Sequence, residues 1–118
     1  MTRTKVISIG PDAYFEDYPI LVLFNEEAPD ELKDICILHR FIEAPKLETF
    51  IKVAKIRFDY EEYTITKVGN VAFKNFSQLG HLSFHFGAGI EDILPGSIGL
   101  DRSEVPQLHP GSVIDFIA

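Results

Sequence analysis

Alternating apolar and polar residues along most of the chain are typical of short β-strands. Residues 5–9 alternate and stop at a Gly-Pro pair, whereas residues 20–24 (ILVLF) form the short apolar run expected of a buried strand. Leu82, Phe84 and Phe86 fall on one face of another predicted strand. Further strands are predicted within residues 35–42, 48–57, 63–68, 94–100 and 109–116, with a hairpin at 58–63.

One segment, residues 70–80 (NVAFKNFSQLG), has the spacing of an amphipathic helix. Asn70 is predicted to cap its first turn and Gly80 to end it. Apolar side chains recur on one face at helical spacing: Ala72, Phe73, Phe76 and Leu79. The acidic stretch at 28–34 is too short for more than about a turn or two of helix.

These elements predict a mainly β fold. About seven or eight short strands with one short helix, at about 70–79, favour a closed or nearly closed β-barrel, with a β-sandwich as the other architecture that fits. No linker or low-complexity segment divides the 118 residues. We therefore expect one domain over residues 1–118, which is long enough to bury roughly 65% of its unfolded surface.

Charge and composition restrict the classes of partner. The net charge is -7 and the pI is near 4.9, which argues against nucleic acid and anionic membranes and suits a small molecule or a basic protein. A single cysteine cannot form an internal disulfide, which fits a reducing compartment. The first ten residues lack the apolar region of a signal peptide, and residues 20–24 are too short to span a bilayer. We expect a soluble cytoplasmic protein without membrane insertion.

The stretch ICILHRF, residues 35–41, places a histidine on a strand that is otherwise apolar. His39 fits two interpretations, a core histidine with satisfied ring nitrogens or a neutral imidazole held still for chemistry. Spacing alone does not decide between them. Cys36, flanked by isoleucines, is predicted to be a small buried hydrophobe.

The other histidines give a weak case for a metal site. His81 and His85 are four residues apart, which on a strand separates their Cα atoms by roughly 13 Å and places them poorly for one ion. We expect His85 to be a surface residue and His109 to lie in a turn. No phosphate-binding glycine loop and no Gly-x-Ser-x-Gly motif is present. The residues therefore predict no metal and no cofactor.

Four segments of the chain carry a resemblance to a known family: DICILHRF (34–41), TKVGNVAFKNFSQLGHLSFHF (66–86), LPGSIGL (94–100) and PGSVIDF (110–116). The most specific element is the Val-Gly-x-Val-Ala-x-x-Asn-x-x-x-Leu-Gly-His run from Val68 to His81. Together these segments resemble the glucitol/sorbitol-specific enzyme IIA component of the bacterial phosphotransferase system (PTS).

The resemblance implies a phosphoryl relay. In that family the phosphocarrier protein HPr gives a phosphoryl group to a histidine of IIA, and IIA passes it to a cysteine of IIB, which phosphorylates the hexitol at the membrane permease (IIB/IIC). The position of the phosphorylated histidine, after Cys-apolar-apolar, corresponds to His39. His81, just after Gly80 and in the most specific segment, is a candidate supporting or phosphate-contacting residue, with a structural histidine in a turn as the alternative. Phe41 stands where members of the family can carry a second histidine.

Two other classes of function stay open from the residues. One is a non-enzymatic β-barrel that binds or regulates without handling phosphate. The other is a metal-dependent small barrel that uses several histidines. A stable phosphohistidine formed with phosphoenolpyruvate, enzyme I and HPr would distinguish the relay from both.

Overall fold

A computed structural model, which describes residues 1–88 and 93–118, shows a closed barrel of eight β-strands with three short helices among the described residues. The strands are β1 (Thr2–Ile9), β2 (Ile20–Asn25), β3 (Ile37–Glu43), β4 (Lys55–Phe58), β5 (Glu61–Val68), β6 (Leu82–Phe86), β7 (Ser97–Leu100) and β8 (Val113–Ile117). Around the barrel they run β1-β3-β2-β6-β7-β5-β4-β8, and β8 pairs back with β1. The predicted mainly β closed barrel is confirmed.

The helices are α1 (Asp30–Lys33), α2 (Leu47–Phe50) and α3 (Ala72–Leu79). A strand predicted over 48–57 is wrong in its first half, because residues 47–50 form α2 and only 55–58 belong to a strand. Phe50 is the buried residue of that helical turn, and its ring contacts Phe73, Phe76 and Phe116. Burial of this one aromatic ring favours a helical turn where the apolar residues alone suggested a strand.

Helix α3 confirms the predicted helix, and its end is as expected. Gly80 is left-handed, with φ of 63°, and its N–H donates to the carbonyl of Phe76 at 2.9 Å. The predicted Asn70 cap is wrong, because the helix begins after Val71 and has no side-chain cap. The N–H of Val71 instead donates to the main-chain carbonyl of Pro95.

The start of β3 is buried on both faces, whereas its second half, residues 40–43, is largely exposed. Ile37 faces the main core inside the barrel, whereas Cys36 and Leu38 belong to a second apolar cluster with Phe24 and Ala28. Because side chains alternate along a strand, His39 takes the face of Ile37. The histidine therefore enters the barrel interior rather than lying on its surface.

The described residues contain no helix with the length and apolar character needed to cross a membrane.

Candidate active site

His39 is held in the barrel wall by strands on both sides. Strand β3 pairs antiparallel with β1, where His39 lies opposite Val6, and parallel with β2, where it lies opposite Asn25. The residue is only 1% exposed. A histidine this deeply buried needs partners for its ring nitrogens, since an unpaired buried polar group is costly.

Both ring nitrogens have partners. Nδ1 lies 2.5 Å from Oγ1 of Thr4, and Nε2 lies 2.7 Å from the carbonyl oxygen of Gly80. A carbonyl oxygen can only accept, so Nε2 carries a proton in this geometry. Burial lowers the pKa of His39, although the hydrogen bond to Gly80 opposes that effect. The ring is therefore neutral near pH 7, with Nδ1 accepting from the hydroxyl of Thr4.

Aromatic rings fix the orientation of the imidazole. The ring of Phe76, on α3, stacks on His39 with centroids 5.8 Å apart and an interplanar angle of 22°. Phe41 meets His39 edge-on at 5.2 Å. Phe41 also contacts Phe76 at 4.9 Å. The three rings form one packed unit, so Phe41 has a packing role at this position.

The glycine at the end of α3 allows the chain to approach the imidazole. A Cβ atom on Gly80 would lie 3.0 Å from Nε2 of His39 and 3.0 Å from Cβ of Asn25. The positive φ also disfavours any residue with a side chain. Both observations favour glycine at the position that supplies the carbonyl to His39.

A surface cavity of about 310 Å³ lies over this histidine, and its lining includes Asn25, His39 and Phe41. Arg40 stands at the same cavity and donates two hydrogen bonds to Glu26, at 2.7 and 3.0 Å. Hydrogen bonding from Arg40 lowers the pKa of Glu26. The cavity thus combines a nearly buried imidazole with a solvent-exposed guanidinium, the pair of groups that phosphoryl transfer to a histidine would use.

His81 is next to this site in sequence, but its ring turns towards β2. Its Nδ1 donates to the carbonyl of Leu23 at 3.2 Å, and its ring stacks on Phe24 with centroids 4.6 Å apart. The link to His39 is through the main chain, because Gly80 immediately precedes His81. The structure therefore brings together His39 and the residue before His81, not the two imidazoles.

Cys36 lies in the second apolar cluster and is 1% exposed. Burial raises the pKa of its thiol. The residue directly precedes β3, and its cluster is separate from the main core inside the barrel. A protonated, buried thiol in this separate cluster fits the structural role predicted for it.

Three features of the site were missed by sequence reasoning: Thr4, the carbonyl of Gly80 and the Arg40–Glu26 pair. Thr4 was missed because the predicted strand began at residue 5, whereas β1 begins at Thr2. Extension of the alternation backwards from Val6 would have placed Thr4 on the inward face. Contacts of Gly80 and Arg40 depend on how distant segments meet, for which the sequence carries no local signal.

Metal-ligating residues do not assemble within residues 1–88 and 93–118, where no group of three or more His, Cys, Asp or Glu side chains could hold an ion. A second surface cavity, of about 1070 Å³, is lined by residues that include Arg3, Arg57, His109 and Asp115. His39 is not part of its lining. The two cavities are therefore separate features, and only the smaller one reaches the buried imidazole.

Comparison with known proteins identifies the family. The model of the PTS system glucitol/sorbitol-specific IIA component matches residues 1–115. The chain is 28% identical over 120 residues to the PTS system glucitol/sorbitol-specific EIIA component of Shigella flexneri and 29% identical to that of Escherichia coli K12, and both alignments cover 98% of this chain and 90% of the relative.

A solved structure supports the fold. The crystal structure of a PTS system IIA component from Enterococcus faecalis V583 is similar with a TM-score of 0.80 at 22% identity, covering 98% of this chain and 99% of that one. IIA components are phosphotransferase proteins that work with other PTS proteins, so the implied type of activity follows from the family match. The chain belongs to the family of glucitol/sorbitol-specific IIA components of the phosphotransferase system.

Proposed function

We propose that this protein is a cytoplasmic phosphocarrier that accepts a phosphoryl group on His39 from phospho-HPr. It then passes the group to a cysteine of its IIB partner, for uptake and phosphorylation of glucitol (sorbitol) by the IIB/IIC permease. The observation that carries this proposal is a neutral, oriented imidazole beneath a surface cavity, with a guanidinium at that cavity. Membership of the IIA family supports the same chemistry.

Nε2 is the proposed acceptor atom. Nδ1 faces Thr4 across the β1–β3 ladder, whereas Nε2 faces the end of α3 beside Asn25, a residue that lines the cavity. The lone pair of Nε2 forms the new P–N bond as the P–N bond of the donor breaks and its electron pair returns to the donor ring. A thiolate of IIB later attacks the phosphorus and the P–Nε2 bond breaks. Before the first step, the proton on Nε2 leaves for water, Nδ1 takes up a proton and the hydrogen bond to Gly80 opens, so that the lone pair of Nε2 becomes free.

Arg40 is proposed to balance the charge of the phosphoryl group. Its side chain is 67% exposed and is held by Glu26 at the cavity that includes His39. A guanidinium offers several donors in one plane, which suits phosphoryl oxygens. The negative charge of the whole chain, -7, would favour encounter with a basic carrier protein.

His81 is retained as a proposed supporting residue, acting by its position rather than by ring contact. Its ring anchors the chain after Gly80 to β2 through Leu23 and Phe24. That anchor would set where the Gly80 carbonyl lies against Nε2. We expect His81→Gln, which can still hydrogen-bond to Leu23 but does not stack as well, to slow transfer without abolishing it.

The test is a labelling assay with phosphoenolpyruvate, enzyme I and HPr, followed by mass spectrometry under conditions that preserve acid-labile phosphate. Wild type and the control His109→Gln, at an exposed turn, should carry phosphate on His39. His39→Gln should carry none while remaining folded. Undiminished labelling of His39→Gln would show that the acceptor is another residue. Absence of phosphate from folded wild type would favour a binding or regulatory barrel.

A further inference from the structure

We infer that Thr4 is a positioning residue whose hydroxyl holds His39 in both ring tautomers that phosphoryl transfer requires. This inference rests on the proposed function of His39. It assigns a role to a buried polar side chain on a strand that the sequence pattern does not connect with the site.

The geometry gives the hydroxyl two partners. Thr4 is fully buried on β1, with Oγ1 2.5 Å from Nδ1 of His39 and 2.9 Å from the carbonyl oxygen of Arg40. A hydroxyl has one hydrogen and can accept as well as donate. It can therefore donate to Nδ1, or it can donate to Arg40 and accept from Nδ1.

In the resting protein the first arrangement holds. Nε2–H donates to the carbonyl of Gly80, so Nδ1 has its lone pair in the ring plane and accepts from Thr4. Nε2 is not nucleophilic in this tautomer, because its lone pair in the ring plane is bonded to hydrogen. The resting site is fully hydrogen-bonded, and no buried side-chain nitrogen or oxygen lacks a partner within the described residues.

Transfer needs the second arrangement. One proton leaves Nε2 for water and one arrives at Nδ1, so the ring stays neutral. Nδ1–H then donates to Oγ1 of Thr4, and the hydroxyl turns to donate to the carbonyl of Arg40. The freed lone pair of Nε2 attacks phosphorus, the donor keeps the electron pair of its broken P–N bond, and the proton on Nδ1 remains in place.

A side chain without a hydroxyl could not hydrogen-bond to Nδ1 in either tautomer. A valine in place of Thr4 has nearly the same shape but would leave Nδ1 without a partner before and after transfer. A buried nitrogen without a partner is costly in both states. The hydroxyl therefore accommodates the movement of one proton at Nδ1 by its own rotation, whereas access to Nε2 requires the hydrogen bond to Gly80 to open.

The experiment compares wild type, Thr4→Ser and Thr4→Val at matched folded concentration. Thr4→Ser keeps the hydroxyl and should take phosphate from phospho-HPr within about threefold of the wild-type rate. Thr4→Val should be slower by roughly 10- to 100-fold, the effect expected of one lost hydrogen bond to a reacting ring. Equal rates for Thr4→Val and wild type would overturn the inference.

Nitrogen-15 NMR of labelled histidine reports which ring nitrogen carries the proton. A change in packing alone would not move that proton, and the measurement needs no variant. In wild type the ring proton of His39 should be on Nε2 before phosphorylation and on Nδ1 afterwards. A ring proton already on Nδ1 in the resting protein would contradict the proposed exchange of hydrogen bonds.

The same samples separate this inference from the proposed function. Wild type that takes no phosphate on His39 contradicts the proposed function itself. Wild type labelled on His39, together with Thr4→Val labelled equally fast, contradicts only the role of Thr4. If Thr4→Val fails to fold, the NMR measurement on wild type and Thr4→Ser still tests the tautomer exchange.

Discussion

At the scale of single residues, His39 shows how a polar ring can be accommodated in an aromatic core. Its ring lies against Phe41 and Phe76, and its nitrogens are bonded to Thr4 and Gly80. These contacts fix the ring, and burial, which lowers the pKa of His39, favours the neutral form. A neutral ring is what a phosphoryl acceptor needs, since an imidazolium has no lone pair in the ring plane.

The lowered pKa of His39 predicts a particular dependence of stability on pH. Between the unfolded pKa, about 6.5, and the lower folded pKa, His39 is protonated in the unfolded chain but neutral in the folded chain. Acidification across that interval therefore destabilises the fold, and stability recovers as pH rises. Urea unfolding between pH 7.5 and 5.5 should show a steeper loss for wild type than for His39→Gln, by up to about 1.4 kcal/mol per pH unit. An equal dependence of the unfolding free energy on pH in the two proteins would contradict this prediction.

Cys36 is predicted to be structural although the next carrier in the proposed relay is a cysteine. Its thiol is buried beside Phe24 and Leu38, and burial raises its pKa, so little thiolate forms near neutral pH. Cys36→Ala should cost about 1 kcal/mol of unfolding free energy and leave both transfer steps nearly intact. A relay assay at matched folded concentration tests this. A variant that takes phosphate on His39 but fails to pass it to IIB would place the thiol in the transfer path.

At the scale of elements, the C-terminal end of α3 contributes directly to the candidate site. The left-handed Gly80 ends the helix and turns its own carbonyl to the imidazole. Phe76, one turn earlier, stacks on the same ring. One short helix thus supplies both a packing surface and a hydrogen-bond acceptor to a strand.

This arrangement predicts a double effect of Gly80→Ala. The positive φ costs about 1 kcal/mol or more for a residue with a Cβ, and that Cβ would crowd Nε2 of His39. We expect a lower melting temperature and phosphorylation slowed by roughly tenfold or more.

Gly111→Ala is the matched control for Gly80→Ala. Gly111 also has a positive φ, of 98°, but a Cβ there would meet no atom within 4 Å. It should lower stability and leave the rate of phosphorylation unchanged. Equal loss of transfer in both variants would mean that general destabilisation, and not the contact with His39, explains the effect of Gly80→Ala.

At the scale of the whole molecule, β8 joins the two ends of the strand order and closes the barrel. Asp115 lies at its centre, directly opposite Arg3 of β1 and Arg57 of β4. Its carboxylate accepts from Arg3 Nε at 2.6 Å and from Arg57 at 3.0 Å. One buried carboxylate therefore ties together three neighbouring strands.

Asp115→Asn should weaken the closed barrel. Burial raises the pKa of Asp115, but hydrogen bonds from Arg3 and Arg57 outweigh burial and hold it below its usual value. Because the folded pKa is lowered, the stabilisation is present above the unfolded pKa, about 3.9, and is lost as pH falls through the folded pKa. We expect a loss of about 1–2 kcal/mol at pH 7, a range that allows for solvent screening of the two part-exposed guanidinium groups.

Urea unfolding at pH 7 and below pH 4 measures this effect. The difference between Asp115→Asn and wild type should shrink in acid. Glu26→Gln, which removes an ion pair exposed on both sides, serves as the control and should change stability much less. A difference that persists unchanged below the folded pKa would show that the carboxylate charge does not hold the strands together.

The strands and the main helix follow largely from local pattern. Alternation in residues 82–86 and the apolar run at 20–24 correspond to β6 and β2, and Gly80 ends α3 as expected. These signals succeed because the periodicities of strand and helix are properties of neighbouring residues. Local alternation gave the wrong structure for residues 47–50, because burial of Phe50 against distant aromatic rings decides their conformation.

By itself the sequence determined that the chain forms a mainly β fold, that it has the motifs of a IIA component and that His39 lies on an apolar strand. Tertiary structure alone decided what surrounds that histidine. Its two hydrogen-bond partners, Thr4 and Gly80, are 35 and 41 residues away in the chain. Such contacts depend on which strands pair and where a helix ends against them, so the partner of each ring nitrogen and the place of Arg40 at the same cavity are decided only when the barrel closes.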